Sequence, residues 1–482
     1  MRRAFVANLA LVLVLNLLVK PFYILGIDAE VQARAGTAAY GTYAALLSLS
    51  FLLNIVLDLG ITNWNTRRIA QDPSRMRHDA GGLLSLRGLL ALGYGVVLFV
   101  VAWVLGYRGT ELQLLSILAL NQALAALVLY LRSNIAGAQR YAQDSLLSVL
   151  DRVLLIGLMA WLLWGRGAQA AVPITWFAWA QTVAYGATAL VAFARVAAHG
   201  GMPALRWDPP FFRAVLRECY PYALLVLLMT FYYRTDTVML ERLLPDGATQ
   251  AGIYAQGFRF FEALNMLGFL LAGLLLPMFT RLLAQRAPVG PLVGTATRLV
   301  LVGALCAAVI GTWYARPLMD LRYAEHTDAS APAFAVMVWS FLAVCITYVF
   351  GTLLTAAGDL RTLNRMAAAG MVLNIALNLV LIPRYQTLGA AWAGLITQGA
   401  TALAQVLIAA RRFQLRPRTM HVLGALAFAA LLVAFGAWTR SAALGLFAGA
   451  AVVCVAAVVL AALTGLLPWR AAWALVRERV GV

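Results

Sequence analysis

Three positively charged side chains lie within segments that are otherwise apolar. Lys20, the only lysine of the chain, interrupts the first apolar segment, and Arg234 and Arg259 each interrupt a long apolar segment near the middle. In a membrane such a charge costs at least ~2.5 kcal/mol and usually faces a water-filled cavity or a substrate path. The three cations therefore predict a pathway for an anionic substrate.

The three cations also share a similar predicted depth. Each lies six or seven residues from the end of its apolar segment, which at 1.5 Å per residue is about 9–11 Å inside the outer boundary. Three cations at one level, on helices that line the interface between two halves, would form a collar suited to phosphate or pyrophosphate. The alternative is that each side chain extends to the lipid headgroups from a helix end.

Carboxylates accompany the cations. Asp236 follows Arg234 by two residues, and Glu262 follows Arg259 by three, which places the latter pair on neighbouring helix faces. A carboxyl near mid-bilayer can titrate and couple transport to H⁺ or Na⁺. A structural ion pair with Arg259 explains Glu262 equally well. Asp58 is a further coupling or gating candidate; the alternative is a structural ion pair with a nearby residue.

That local partner of Asp58 is predicted to be Arg67 or Arg68, because all three lie near one end of the second apolar segment.

The composition indicates the elements that must position these residues. Hydrophobic residues make up 63% of the 482 positions and charged residues only 12%, and apolar segments of about 20 residues, each enough to cross a bilayer, recur along the whole chain. The sequence predicts an all-α polytopic membrane protein with about 14 transmembrane helices, near 5–26, 39–64, 83–106, 112–133, 146–164, 171–194, 218–240, 252–280, 292–315, 331–356, 367–383, 388–410, 420–438 and 442–467.

Other function classes are disfavoured by what the sequence contains. The net charge of +18 comes from arginines that flank the spans, so it indicates membrane orientation and anionic headgroups rather than nucleic acid. The four cysteines and four histidines form no disulfide framework or metal-ligand spacing. A P-loop is absent, because the only lysine follows Val19 rather than glycine. We expect no metal, no cofactor and no enzymatic activity.

The arginines between the spans indicate the orientation. Alternate spacers contain 26 basic residues in one set and 9 in the other. By the positive-inside rule the richer set is cytoplasmic, which predicts that both termini are cytoplasmic.

Spacing also indicates an internal repeat. Lys20 precedes Tyr40 by 20 residues, and Arg234 precedes Tyr254 by the same number. The alternative is chance, since tyrosine is common at membrane interfaces. Six spans per repeat keep the same orientation, as in parallel transporter repeats with the site between them. We predict an N-terminal lobe at 1–208, a C-terminal lobe at 209–415, and two extra helices with a cytoplasmic tail at 416–482.

Several stretches resemble those of the polysaccharide-biosynthesis or Wzx-type flippases of the multidrug/oligosaccharidyl-lipid/polysaccharide (MOP) superfamily. The similar stretches occur in the family's order and cover most of residues 1–412; they are Asp58-Leu59-Gly60, Arg234 to Leu240 with Asp236, Gly252-Ile253-Tyr254 with Arg259 and Pro277, Ala357-Gly358, Asn374 to Asn378, and Ile382-Pro383-Arg384-Tyr385. Gln386 stands where the family usually has glycine.

The resemblance implies two six-helix lobes around a central cavity, plus two extra helices, in a bacterial inner (cytoplasmic) membrane. It implies transport of undecaprenyl-pyrophosphate-linked oligosaccharide, such as an O-antigen or exopolysaccharide repeat unit, from the cytoplasmic to the periplasmic leaflet by alternating access. Lys20, Arg234 and Arg259 would then bind the pyrophosphate, with Asp236 and Glu262 as coupling or gating groups. Membrane lipids and a polysaccharide polymerase or chain-length protein are the implied partners, and nucleic acid is not.

Three alternatives remain. A lipid II flippase of the same superfamily fits the sequence nearly as well, whereas a multidrug or cation antiporter would require an acidic cavity. A polyprenyl-dependent membrane glycosyltransferase would use Asp28 and Glu30, which we place in the first outer loop.

Overall fold

The computed structural model describes residues 18–72, 74–165, 172–200, 204–415 and 419–467. Every regular element in these residues is a helix, which confirms the all-α class. The chain divides into an N-terminal unit, Met1–Ala255, and a C-terminal unit, Gln256–Val482. The predicted lobe boundary at 208, which was inferred from the six-helix repeat, stays a prediction.

A π-helical segment, Tyr23–Asp28, opens the regular structure of the N-terminal unit. The α-helices that follow are α1 (Ala29–Ala35), α2 (Thr37–Leu52), α3 (Ile55–Asp58), α4 (Ile61–Gln71), α5 (Arg75–Val104), α6 (Thr110–Gly137), α7 (Tyr141–Trp164), α8 (Ile174–Gly200) and α9 (Pro209–Leu243). The last helix of the unit, α10 (Gly247–Ala284), continues into the C-terminal unit.

The first helix is longer than the sequence predicted. Helical structure continues past Gly26, through the π-helical segment and α1, to Ala35. The predicted span end at 26 and the placement of Asp28 and Glu30 in a loop are therefore wrong. Both carboxylates have partners within the fold, since Asp28 accepts a hydrogen bond from Tyr40 and Glu30 pairs with Arg34. Such pairing lets a helix continue through residues that lower its mean hydropathy.

The second predicted span is broken around the Asp58-Leu59-Gly60 stretch. Leu59 and Gly60 both have left-handed backbone conformations, with φ of 46° and 86°, and this separates α3 from α4. The Asp58 carboxylate accepts hydrogen bonds from the backbone N–H groups of Gly60 (3.2 Å) and Thr62 (3.1 Å). It therefore satisfies N–H groups that the start of α4 leaves without helical partners.

The core of the N-terminal unit is an apolar cluster contributed by α4 to α9, with Leu83, Leu86 and Leu131 among its buried members. Helix α9 is fixed at its start by Asp208, whose carboxylate accepts a hydrogen bond of 3.1 Å from the Phe211 N–H. Prolines occupy the first two helical positions after it, where a missing N–H costs nothing. Helix α9 also packs against α2.

The C-terminal unit is built from the remainder of α10 and six further helices: α11 (Gly290–Trp313), α12 (Ala315–Asp320), α13 (Thr327–Ala356), α14 (Leu360–Arg412), α15 (Thr419–Ser441) and α16 (Leu446–Leu463). Helix α13 packs against α11 and α14, and the two last helices pack against each other and against α11. An apolar cluster that includes Val309, Phe428 and Val453 joins α11, α15 and α16.

Helix α14 is two helices joined at a kink. Gln386 has φ 50° and ψ −131°, far from helical values, and Pro383 lies just before it. Proline removes a helical hydrogen bond and clashes with the preceding turn. The kink falls between the predicted spans 367–383 and 388–410.

The described residues contain eleven helices that are long and apolar enough to cross a membrane. The fourteen predicted spans differ from these in three places. The kink merges two spans into α14, α9 is not among the eleven, and the first predicted span falls mostly on residues 1–17, outside the described residues. The predicted C-terminal tail, from residue 468, also lies outside them.

Candidate functional site

Lys20 lies within electrostatic range of two arginines in the N-terminal unit. It is half-buried in the helical turn before the π-helical segment, and it interacts electrostatically with Arg132, Asp151 and Arg152. It precedes the helix end at Ala35 by fifteen residues, which is about 22 Å along a helix axis. The predicted depth of Lys20, about 9–11 Å below the outer boundary of the membrane, stays a prediction. We call Lys20, Arg132 and Arg152 the cationic cluster.

Arg152 lies between two tyrosine rings. Its guanidinium carbon lies 4.6 Å from the ring centroid of Tyr23 and 5.7 Å from that of Tyr185, and its Nε lies 3.7 Å from an Asp151 carboxylate oxygen. The side chain is still 26% exposed. Arg152 follows the start of α7 by eleven residues, about 16 Å along the helix axis, and therefore lies near the middle of this helix.

The sequence analysis missed Arg132 and Arg152, which it counted among the arginines of a loop. Arg132 lies in α6 and donates a 2.8 Å hydrogen bond to Asp144 in α7. The Asp151-Arg152 pair lies well inside α7. The polar pair at 151–152, within an otherwise apolar helical segment, is the signal that could have identified a charge inside the membrane.

Arg234 and Asp236 lie on α9, also in the N-terminal unit. The Arg234 guanidinium carbon is 4.7 Å from the ring centroid of Phe51. The Asp236 carboxylate is buried, with 4% of its residue exposed, and accepts a 3.0 Å hydrogen bond from the Tyr254 hydroxyl. Asp236 is thus held by the helix that follows it in the chain.

The two tyrosines that mark the predicted repeat make equivalent contacts. Tyr40 donates a 2.7 Å hydrogen bond to Asp28, and Tyr254 donates one of 3.0 Å to Asp236. Both carboxylates are buried. The chain separations differ, at 12 and 18 residues. In each half, therefore, a tyrosine donates a hydrogen bond to a carboxylate on the preceding helix, but the number of residues between the two differs.

A pair of glycines allows α2 and the start of α10 to cross in close contact. A Cβ atom at Gly41 would lie 1.8 Å from the Ala248 carbonyl oxygen, and one at Gly252 would lie 2.0 Å from that of Thr37. The Gln32 side-chain amide donates a 2.8 Å hydrogen bond to the Gly252 carbonyl oxygen. We call this contact the glycine crossing. It lies at the end of the N-terminal unit that the arginine distribution predicts to be periplasmic.

Asp58 pairs with an arginine that the sequence did not indicate. Its carboxylate binds Arg87 of α5, whose guanidinium also donates to the Thr62 hydroxyl at 2.8 Å and lies 4.8 Å from the Tyr130 ring centroid. The predicted partners Arg67 and Arg68 are wrong. Arg68 instead pairs with Asp79 at 2.8 Å. The prediction considered only residues close to Asp58 in the sequence, whereas Arg87 reaches Asp58 from the next long helix.

Arg259 and Glu262 lie on α10 in the C-terminal unit and form an ion pair, with 2.7 Å between an arginine NH group and a carboxylate oxygen. Arg259 is buried, and the Glu262 side chain is 26% exposed. The ion pair that the sequence analysis offered as one explanation of Glu262 is therefore present. A coupling role for the same carboxyl stays a prediction, as does the three-cation collar, because Arg259 belongs to a different unit from Lys20 and Arg234.

Comparisons with known proteins were made with the whole chain. Residues 31–283 match the family model described as polysaccharide biosynthesis protein, and residues 221–380 match the MatE family model. No curated protein matches the chain.

Among solved structures, the lipid II flippase MurJ in its inward closed conformation has a TM-score of 0.66 at 11% identity, over 92% of this chain and 96% of that chain. An inward-facing multidrug resistance MATE family transporter of the MOP superfamily has a TM-score of 0.62 at 14% identity, over 81% of this chain and 94% of that one. A mutant of the Vibrio cholerae MATE transporter VcmN has a TM-score of 0.61 at 16% identity, over 86% of this chain and 97% of that one. The fold is that of MOP superfamily transporters.

Proposed function

The chain belongs to the polysaccharide biosynthesis protein family, and from this premise we propose that it is a flippase for a polyprenyl-pyrophosphate-linked oligosaccharide. The substrate class is undecaprenyl-pyrophosphate carrying an O-antigen or exopolysaccharide repeat unit. It moves from the cytoplasmic to the periplasmic leaflet by alternating access. Its families and structural neighbours are transporters and flippases, in keeping with transport rather than covalent chemistry.

The observation that carries the proposal is the cationic cluster. Lys20, Arg132 and Arg152 place three positive charges against the Asp144 and Asp151 carboxylates, so the cluster has a net positive charge. The Arg152 side chain is 26% exposed near the middle of α7, and a cation deep within a membrane usually faces a wet path. A pyrophosphate headgroup is the complementary charge, and an arginine fork binds its oxygens through paired N–H groups.

The aromatic surroundings of Arg152 support binding rather than a simple ion pair. Tyr23 and Tyr185 hold the guanidinium in position by stacking. Asp151 lies 3.7 Å away, beyond a normal hydrogen bond. The guanidinium also has a hydrogen bond with the Tyr185 side chain, so the two tyrosines fix its position, and its remaining N–H groups would bind the anion.

The test is transport in proteoliposomes that contain a polyprenyl-pyrophosphate oligosaccharide with a fluorescent sugar. A membrane-impermeant quencher measures how much of the sugar changes leaflet. Hydrogen bonds to charged groups contribute ~1.5–3 kcal/mol, so Arg152→Gln is expected to lower the transport rate by about 10- to 150-fold. Arg152→Lys, which keeps the charge, is expected to retain more activity. Arg281→Gln, an exposed arginine at the end of α10, is the control.

Three further variants, each of which replaces one of Lys20, Arg234 and Arg259 by a neutral residue, complete the series. Transport at the wild-type rate by all of these variants and by Arg152→Gln would refute a cationic substrate site. A rate that falls equally in Arg281→Gln would show a general effect of lost charge.

Transport of lipid II is the second candidate, favoured by the fold shared with MurJ over 92% of the chain. The same vesicles distinguish the two, because unlabelled lipid II competes only if it enters the same site. The glycosyltransferase alternative has lost support, since Asp28 is buried against Tyr40 and Glu30 is paired with Arg34. Glycan output from the Asp28→Ala, Glu30→Ala double variant tests what remains of it.

We also propose that the protein resides in a bacterial cytoplasmic membrane with both termini in the cytoplasm. A polysaccharide polymerase or chain-length protein is its proposed partner. Support comes from the unequal arginine content of alternate spacers. Reporter fusions active only in the periplasm, placed at each terminus, would contradict this orientation if they were active.

A further inference from the structure

A second group of arginines lines an open cavity at the opposite end of the N-terminal unit from the glycine crossing. The cavity has a volume of about 740 Å³ and lies between the start of α5 and the segment before α9, with Arg75, Arg77, His78 and Arg206 in its lining. A smaller adjoining cavity of about 140 Å³ shares Arg75, His78 and Arg206 and is also lined by Arg68. We call the two together the arginine basin.

The arginines of the basin are only partly engaged by carboxylates. Asp79 binds Nε of Arg68 at 2.8 Å, and Asp72 binds Nε of Arg75 at 3.3 Å. In the described residues, the terminal NH₂ groups of these two arginines have no hydrogen-bonded protein acceptor. These groups form the part of a guanidinium that binds phosphate oxygens in pairs.

The charge of the basin is positive. Arg68, Arg75, Arg77 and Arg206 outnumber the three carboxylates that line the same cavities, which are those of Asp72, Asp79 and Asp208. Hydrogen bonds from the Ser74 side chain and backbone hold the pKa of Asp72 below its usual range. Asp72 is therefore ionised at neutral pH and pairs with Nε of Arg75.

The surface next to the basin has the character of a membrane interface. Arg206 lies between Leu205 and Trp207, whose side chains are 73% and 68% exposed. The Trp207 ring packs edge-on against Phe212, with 5.4 Å between centroids. Apolar and tryptophan side chains at such positions enter the headgroup region of a bilayer. Both chain segments of the basin are arginine-rich spacers, which the positive-inside rule assigns to the cytoplasm.

We propose that the arginine basin is a phosphate-binding site that holds the headgroup of an anionic phospholipid from the cytoplasmic leaflet. The terminal NH₂ groups of Arg68 and Arg75 bind the phosphate oxygens, Arg77 and Arg206 add positive charge at the rim, and Leu205 and Trp207 contact the acyl chains. Basic pockets at the cytoplasmic ends of transmembrane helices recognise anionic headgroups in this way. The site is separate from the cationic cluster and does not depend on the proposed transport.

The experiment uses the full-length protein in a neutral detergent, titrated with phosphatidylglycerol or phosphatidylcholine, with bound lipid counted by native mass spectrometry. The wild type is expected to bind phosphatidylglycerol in preference to phosphatidylcholine. The Arg75→Gln, Arg206→Gln double variant is expected to bind phosphatidylglycerol at least about tenfold more weakly. The control variant Arg281→Gln, Arg286→Gln removes two exposed arginines from another predicted cytoplasmic spacer and is expected to bind like the wild type.

A competition arm identifies the source of the phosphate. Inorganic phosphate that displaces phosphatidylglycerol from the wild type at low concentration assigns the basin to soluble phosphates and overturns the lipid proposal. Resistance to inorganic phosphate supports a lipid headgroup. Equal binding of phosphatidylglycerol by the wild type and the double variant, or equal loss in the control, overturns the site itself.

A second variant guards against misfolding of the double variant. Arg77 is exposed, and its side chain makes no hydrogen bond or ion pair to the part of the chain that the structure describes. Arg77→Glu should therefore fold, and it is expected to weaken phosphatidylglycerol binding by reversing one charge of the basin. Unchanged binding by a folded Arg77→Glu variant would count against the proposal.

Discussion

The glycine crossing predicts that a single methyl group can bias the transport cycle. Helix α2 and the start of α10 approach so closely that a Cβ at Gly252 would lie 2.0 Å from the Thr37 carbonyl oxygen. Ordinary contact begins near 3.4 Å, so the two helices must separate by about 1.4 Å to accept Gly252→Ala. The atom in the way belongs to the backbone, and no side-chain rotation can relieve the clash.

The energetic effect follows from this displacement. Overpacking of a close contact costs about 1–3 kcal/mol, which corresponds to a shift of about 5- to 150-fold between two conformations. Alanine also stabilises the helix itself by up to about 1 kcal/mol relative to glycine. That gain acts in both conformations and does not offset the shift. Because only the conformation with the crossing closed contains the clash, Gly252→Ala is expected to favour a conformation in which this end is open.

The assay measures access to the crossing. Thr37→Cys, in a variant whose four natural cysteines are replaced by serine, places a thiol at a site that is 6% exposed. Adding Gly252→Ala is expected to speed its reaction with a membrane-impermeant maleimide, and Gly41→Ala, the other half of the crossing, should act in the same direction. Gly186→Ala is the matched control, because a Cβ at Gly186 meets nothing within 4 Å.

Equal labelling rates in Gly252→Ala and the unsubstituted protein would refute the reasoning. That outcome would mean that the two helices separate freely, or that the crossing does not open during transport. Faster labelling in Gly186→Ala as well would assign the effect to helix propensity.

Three further predictions concern other parts of the chain. Gln386→Gly should raise the melting temperature. Glycine removes backbone strain of ~1–3 kcal/mol at φ 50°, which is more than its entropic cost of ~0.5–1 kcal/mol. The control Gln113→Gly, at an exposed helical position, should lower the melting temperature. The sulfur atoms of Cys306 and Cys454 lie 3.8 Å apart, so a mild oxidant should join these residues in a disulfide. After proteolysis between the two cysteines, the fragments should stay linked. Failure to link would contradict the packing of α16 on α11. Glu262→Gln should change the pH or Na⁺ dependence of transport, whereas an unchanged profile would leave Glu262 with only its structural pair.

The helical class could be predicted because hydropathy over about 20 residues is a local property of the sequence. Boundaries were less predictable. The end of the first helix was placed at Gly26 because Asp28 and Glu30 lower the local hydropathy, yet Tyr40 and Arg34 satisfy those carboxylates within the fold. A hydropathy window detects a charge and contains no information on the partner that neutralises it.

The candidate site was predicted in part for the same reason. Lys20 stood out because its surroundings are apolar, whereas Arg152 was assigned to a loop because it follows Asp151 and begins an apolar segment. Their proximity depends on how α7 packs against the first helix. Likewise, Asp58 finds Arg87 across 29 residues of chain, a pairing that only tertiary structure determines.

The π-helical segment Tyr23–Asp28 has a consequence for how the first helix can move. Each of its hydrogen bonds encloses one residue more than a bond of an α-helix. Rewinding the segment to α-helical form would release that residue and turn Lys20 by about 100° around the helix axis relative to α1. The Asp28–Tyr40 hydrogen bond could hold one end still during such a rotation. The protein thus has a way to turn its only lysine toward a new neighbour.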